Sequence, residues 1–234
     1  MYKFIIILFI FLFTTPFLFA ESEHNSLIEI HFGFFTPNID EEEGLVGTPY
    51  KDIFNRSGLR FGSTYSYEII SHQYFGTLSF LSGAEYFLVS GKGRYENDPT
   101  EESEDKTSLS MIPLEVAIVY NIDQLEVLFN FPFVFYAKIG LNYNFWWVTD
   151  GSGSTVEYED GNSYGGKKGW HYGLGLRFLL DFLDPQAAKD FDGQYGVNGS
   201  YLFVEYNSSK INDFGGDGFE LGSLYWRFGL ALQF

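Results

Sequence analysis

The chain has 234 residues, no cysteine, and 14 basic against 31 acidic residues, for a formal net charge of -17. These values exclude a disulfide framework and a lipid-modified cysteine, and the acidic balance argues against nucleic acid as a partner. Aromatics make up 21% and glycines number 26, yet mean hydropathy is -0.06. Alternation of each large apolar residue with a small or polar one produces that balance.

The first twenty residues, MYKFIIILFIFLFTTPFLFA, carry one lysine, an apolar run from Phe4 to Phe13, a TTP break and a small residue, Ala20. That is the order of a secretory signal peptide, with cleavage expected after Ala20 and a mature barrel domain over 21–234. A membrane anchor fits less well, because Thr14 to Pro16 interrupts the apolar run and no basic stop-transfer cluster follows. No later apolar run approaches the roughly 18 residues of a transmembrane helix.

Period 2 dominates from residue 27 onward. Ile28, Ile30, Phe32 and Phe34 oppose Leu27, Glu29, His31 and Gly33 in the first predicted strand. Near 58–70, Leu59, Phe61, Tyr65, Tyr67 and Ile69 oppose Arg60, Gly62, Thr64, Ser66 and Glu68. The third strand, 74–88, is blurred by Leu81 and Phe87 but sets Leu78, Phe80, Tyr86 and Leu88 against Thr77, Ser79, Gly83 and Glu85. The fourth, 108–120, sets Ile112, Leu114, Val116, Ile118 and Tyr120 against Glu115 and Ala117. The next three, at 131–147, 168–182 and 199–208, place Lys138, then His171, Arg177 and Asp181, then Glu205 on the small or polar face. The last, LYWRFGLALQF at 224–234, alternates Leu224, Trp226, Phe228, Leu230, Leu232 and Phe234 with residues that include one charge, Arg227.

Eight strands is the smallest common closed barrel of the outer membrane. The connections sort by side: 36–57, 89–107, 148–167 and 208–218 are long and polar, with the acidic runs IDEEEG, ENDPTEESED and VEYED. The other connections, near Ser71 to Gln73, from NIDQLEVLFN at 121, and over 183–198, are tighter or carry a short helix. With both termini in the periplasm, every acidic loop falls outside the cell, the asymmetry of such barrels. A soluble lipocalin-like barrel would bury the apolar faces instead, but an eight-stranded interior holds only modest side chains. The fold expected is therefore an all-β, eight-stranded antiparallel transmembrane β-barrel with a short periplasmic helix.

Parity sends Glu29, His31, Arg60, Glu68, Glu85, Glu115, Lys138, His171, Arg177, Asp181, Glu205 and Arg227 into the lumen. Charges in a narrow interior must pair, so a salt-bridge network that plugs the barrel is expected; a narrow channel for small ions or solutes is the alternative. Arg227 lies on the last strand, which closes between the first and the seventh, so Glu29, His31 and Glu205 are its expected partners. Trp147, Trp170 and Trp226 are expected in an aromatic girdle. Phe228, Leu230, Leu232 and Phe234 are expected as the assembly signal read by the barrel assembly machinery.

A serine hydrolase needs a histidine beside its nucleophile. His31 and His171 have no serine two residues on, His24 and His72 fall outside the lumenal faces, and no metal-spaced His or Cys cluster occurs. No catalytic role and no cofactor or resident metal is therefore expected. DGSGST at 150–155 and the acidic runs are candidates for calcium or magnesium that bridges lipopolysaccharide phosphates, although the spacing matches no EF-hand loop. Asp184 and Pro185 ahead of QAAKD read as an N-cap and first-turn proline of a helix capping the periplasmic mouth, or docking a periplasmic partner.

The stretch GWHYGLGLRFLLDFLDPQAAKDFDGQYGVNGSYLFVEYNSSKINDFG at 169–215, with FGFFTPNID, TPYKDIF and YAKIGLNYNFWW, resembles a family of outer-membrane β-barrel proteins of myxobacterial and related genomes. The resemblance implies that location and fold and carries no activity with it. The combined expectation is a monomeric barrel in contact with outer-membrane lipids and lipopolysaccharide, with a structural or surface-interaction role through an unidentified extracellular or periplasmic partner.

Overall fold

The computed structural model describes residues 25–234 apart from 43–44, 46, 73, 96–97, 156, 159–160 and 217. The expected leader, 1–20, and His24 lie outside the described residues, as do parts of the three acidic runs. Eight antiparallel strands form one closed ring. They are β1 Ser26–Phe35, β2 Gly58–His72, β3 Gly76–Tyr95 and β4 Asp98–Ile122, then β5 Phe133–Thr149, β6 Tyr164–Leu179, β7 Gly199–Lys210 and β8 Leu224–Gln233. Each strand pairs with the next, and β8 returns to β1 with Leu27 opposite Gln233 and Phe34 opposite Trp226. The seam continues to the chain end, where Phe234 N donates to the Ser26 carbonyl at 2.9 Å.

Burial settles which face points inward. Ile30, Phe61, Ile118, Leu141, Leu174, Leu202 and Leu230 are exposed, while Glu85, Glu115, Lys138, His171 and Arg227 are buried. This is an inside-out barrel, whose apolar faces contact lipid and whose backbone polar groups are satisfied by strand pairing around a ring without edges. Among the described residues no helix is long and apolar enough to cross a membrane; the strands make the crossing.

Two strands run further than the alternation suggests. β3 and β4 extend through most of 89–107, expected as a loop, and stay paired to Arg94 opposite Glu102 and Tyr95 opposite Asp98. The extension is anchored on its inner side, where Val89 and Leu109 are buried and the Ser90 and Ser108 hydroxyls bond at 2.8 Å. Beyond it Glu102, Glu104 and Asp105 are exposed. A two-residue ribbon, Glu157–Tyr158 with Gly161–Asn162, rises in the next loop.

The end carrying the long loops is sealed by apolar side chains. Phe35, Tyr50, Phe54, Phe87, Val89, Leu109, Met111, Ile211, Leu221 and Tyr225 form one buried cluster inside the ring. The 36–57 loop supplies part of it through a short helix, α1 Pro49–Ile53, whose first amides, Tyr50 N and Lys51 N, donate to Asp40 at 2.7 and 2.9 Å. Burying Phe54 there stabilises the fold by about 1.5–3 kcal/mol. Leu81 and Phe87, which blur the third strand in sequence, point inward with Thr77, Ser79, Glu85 and Val89, and each is almost fully buried.

Gly91 lets this loop reach β3, because an added Cβ would overlap the Ile53 carbonyl. Gly91→Val is expected to lift the loop and expose Phe54. Limited proteolysis of the refolded barrel should then cut within 48–57 at a rate at least several-fold above wild type, whereas unchanged protection would show that the loop is held elsewhere.

At the opposite end lie Asn25, Phe234 and two further helices, α2 Gln124–Phe129 and α3 Pro185–Tyr195. Asp184 caps α3, accepting from Gln186 N at 3.2 Å and Ala187 N at 3.1 Å, and the helix stops at Gly196 with φ 67°, the left-handed turn glycine favours. α3 has no buried residue and none of its side chains lines the barrel mouth, so the expectation that it caps the mouth is overturned. Asp123, Glu126 and Val127, at and within α2, line it instead.

Candidate functional site in the barrel lumen

The middle of the lumen is filled by charge. Arg227 on β8 reaches across the barrel, donating to Glu115 on β4 through Nη1 at 2.9 Å and Nη2 at 3.3 Å, and to Glu85 on β3. Its Nη1 also lies 3.4 Å from Glu205 on β7. Arg60 also donates to Glu85, with Nε to Oε2 and Nη2 to the same Oε1 that Arg227 reaches, the latter at 3.1 Å. Lys138 Nζ lies 2.8 Å from Glu205 and 3.6 Å from Glu115. Three cations thus face three carboxylates, and Asn207 donates a further bond to Glu205 at 2.7 Å.

Glycines opposite these side chains make the room. An added Cβ on Gly62 would come 2.5 Å from Glu85 Cγ, and one on Gly173 would come 2.8 Å from Asn207 Oδ1 and 3.0 Å from Lys138 Cε. The inward glycines are therefore the spaces into which the long charged side chains fold.

A second ion pair lies nearer the terminal end. Arg177 Nη2 donates to Glu29 Oε1 at 2.9 Å, its Nη1 donates to Asn121 at 2.7 Å, and the guanidinium sits 4.0 Å from the centre of the Tyr136 ring. Thr64 donates to the other Glu29 oxygen at 2.8 Å. On the loop side, Arg60 stacks between Phe35 at 5.0 Å and Tyr225 at 4.5 Å, which joins the charge layer to the apolar seal.

Of the expected partners of Arg227, only Glu205 contacts it. Glu29 is taken by Arg177, and His31 Nε2 lies 3.5 Å from Glu85 instead. The residue beside Arg227 on β1 is Gly33, which offers no side chain, so the arginine extends across the lumen. Ten of the twelve predicted lumenal residues are buried. Glu68 and Asp181 are half-buried at the terminal mouth, Asp181 in a turn just past β6, where it accepts from Ser200 N at 3.2 Å and Ser200 Oγ at 2.7 Å.

His171 has a serine opposite it across the strand pair, Ser209, a relation invisible to a search along one strand. The two do not form a nucleophile pair: Ser209 Oγ donates to the Ser223 carbonyl at 3.3 Å, and His171 Nε2 lies 3.2 Å from Glu115. In the loop at 150–155 the Asp150 carboxylate closes its own turn, accepting from Ser152 N at 2.9 Å, Ser152 Oγ at 2.7 Å and Ser154 N at 3.0 Å. The Ser152 hydroxyl, ahead of the backbone donors, holds the Asp150 carboxyl below its ordinary value. Among the described residues no group of three or more His, Asp or Glu is placed to hold a metal ion.

The tryptophans face outward beside tyrosines. Trp170 stacks on Tyr172 at 5.7 Å, Trp226 meets Tyr206 at 4.8 Å and Trp147 meets Tyr86 at 6.3 Å. Trp146, by contrast, turns inward against Phe219 at 5.0 Å and joins the apolar seal.

A closed antiparallel ring of eight strands, apolar outside and charged within, defines an integral outer-membrane β-barrel protein. Its fold is similar to that of the outer membrane protein OprG from Pseudomonas aeruginosa, with 12% identity, 91% of this chain and 97% of that chain covered, and a TM-score of 0.50. Ail, the attachment invasion locus protein of Yersinia pestis, aligns at 14% identity over 91% of this chain and all of that one, with a TM-score of 0.49. The N-terminal β-barrel domain of Pseudomonas aeruginosa OprF aligns at 11% identity over 91% and 100%, with a TM-score of 0.43. No family model and no curated protein sequence matches the chain.

Proposed function

We propose that this protein is a plugged outer-membrane barrel with a structural or surface-interaction role, its long acidic loops outside the cell and both termini in the periplasm. The observation that carries this reading is the filled lumen: Arg227 spans it to Glu85, Glu115 and Glu205, and the Phe35 to Tyr225 cluster closes the loop end above. Outer-membrane lipids contact the apolar belt, and lipopolysaccharide is the neighbour of the loops. The terminal strand, with Phe228, Leu230, Leu232 and Phe234, engages the assembly machinery, and the first twenty residues direct export. The similarity to the myxobacterial outer-membrane family belongs to the same proposal.

Single-channel recording of the refolded mature barrel in a planar bilayer tests the plug. Silence at applied potentials is expected, because ions would have to displace paired charges from a dehydrated layer. Steady unitary openings would replace the plugged barrel with the narrow channel.

A further inference from the structure

Below the charge layer the barrel opens at its terminal end into a vestibule of about 530 Å³, within the size range of small-molecule sites. Four carboxylates stand around it: Glu68 on β2, Asp123 and Glu126 at α2, and Asp181 after β6. Each is held by a neutral donor. Glu68 accepts from Gln233 at 3.4 Å, Asp123 from Thr77 at 2.6 Å, Glu126 from Tyr201 at 3.2 Å and Asp181 from Ser200. The cation lining the vestibule, Arg177, is already engaged by Glu29 and Asn121 at the floor. Among the described residues the four acids have no cationic partner within ion-pair distance.

A second observation points to a missing partner. Ser66 lines the same space, its side chain is only 4% exposed, and its hydroxyl has no hydrogen-bond partner. An orphaned buried hydroxyl costs free energy unless something occupies the space before it. The crowding is also felt by Glu126: burial first, then Asp123 and Asp181, raise its carboxyl above the ordinary value, against the Tyr201 bond and Arg177, which lower it.

We propose that this vestibule binds a small organic cation, a linear aliphatic amine carrying two or more ammonium groups. The four acids do not converge on one point as metal ligands would, and Leu27, Val119, Val134 and Leu179 add apolar wall to the same space. Charges spaced along an aliphatic stem match that layout, with ammonium groups against the carboxylates, methylenes along the wall and one N–H donated to Ser66 Oγ. The assignment rests on the closed floor of the plugged barrel. Conductance tests the floor and titration tests the vestibule, so either can fail alone.

The probe is spermidine, titrated calorimetrically into the refolded mature barrel in zwitterionic micelles. Saturable one-to-one binding is expected, with magnesium chloride at matched ionic strength giving no such isotherm. Glu68→Gln combined with Glu126→Gln should weaken binding about tenfold, while Glu104→Gln at the loop end should leave it unchanged. Equal binding of magnesium, an unchanged double variant, or tighter binding of a lysine-rich peptide than of spermidine would overturn the proposal. If the double variant does not refold, amide shifts in the wild-type barrel decide: changes confined to Ser66, Thr77, Tyr201 and their neighbours support the site, and changes at the loop end overturn it.

Discussion

Arg227→Ala is expected to destabilise the barrel by about 3–5 kcal/mol, the cost of leaving buried charges without their partner. Three carboxylates depend on this one guanidinium: Glu85, Glu115 and Glu205 all lie within ion-pair distance of it and all are buried. Arg60 and Lys138 still compensate Glu85 and Glu205. The largest deficit therefore falls on Glu115, left with Lys138 at 3.6 Å and His171 at 3.2 Å. Arg227→Lys should fall between wild type and alanine, because an ammonium is one point charge and cannot fork between Glu85 and Glu115 as the guanidinium does. Adding Glu115→Gln to Arg227→Ala should recover part of the loss, since the second change removes an orphaned anion. The urea midpoint of the refolded protein in detergent reads all three variants. An unchanged midpoint for Arg227→Ala would mean that the charge layer does not hold the barrel together.

Leu141→Arg is expected to produce an effect of similar size by a different mechanism. Leu141 sits midway along β5 with its side chain 53% exposed. On a water-soluble barrel, an arginine there would change stability by about 0.5 kcal/mol at most. On a barrel that faces lipid, the same change places a guanidinium in hydrocarbon at a cost of about 2–4 kcal/mol. Unfolding in phospholipid vesicles separates these outcomes, with Glu104→Arg on the exposed extension of β4 as a control expected to stay near wild type. A Leu141→Arg protein as stable as the control would remove the lipid-facing belt from the description.

The partners of Arg227 show where linear pattern stops being informative. Its neighbours on β1 and β7 are legible from chain order, and Glu205 follows from that logic. Glu85 and Glu115 do not, because they sit on strands across the ring and are reached only by a side chain long enough to span the lumen. The glycines Gly33, Gly62 and Gly173 supplied a signal, since a charged residue beside an inward glycine has space to turn away from its own strand. Leu81 and Phe87 carried another: large apolar residues on an otherwise polar face mark the limits of the charge layer, Phe87 joining the loop-end seal and Leu81 packing with Val119 and Tyr136 on the other side. The N-cap at Asp184 was readable because capping is local, whereas the placement of α3 beside the mouth depends on how the chain leaves β6.

Strand periodicity, the outward belt, the closure of the last strand on the first and the set of inward charges are all legible along the chain, because alternation is a two-residue property carried along each strand. Which of those charges meet, the inward folding of the 36–57 loop into an apolar seal, and the gathering of four acids around an open vestibule at the other end emerge only when the ring closes. Those contacts are set by strand stagger and by side-chain reach across the ring, distances that no short window of sequence contains.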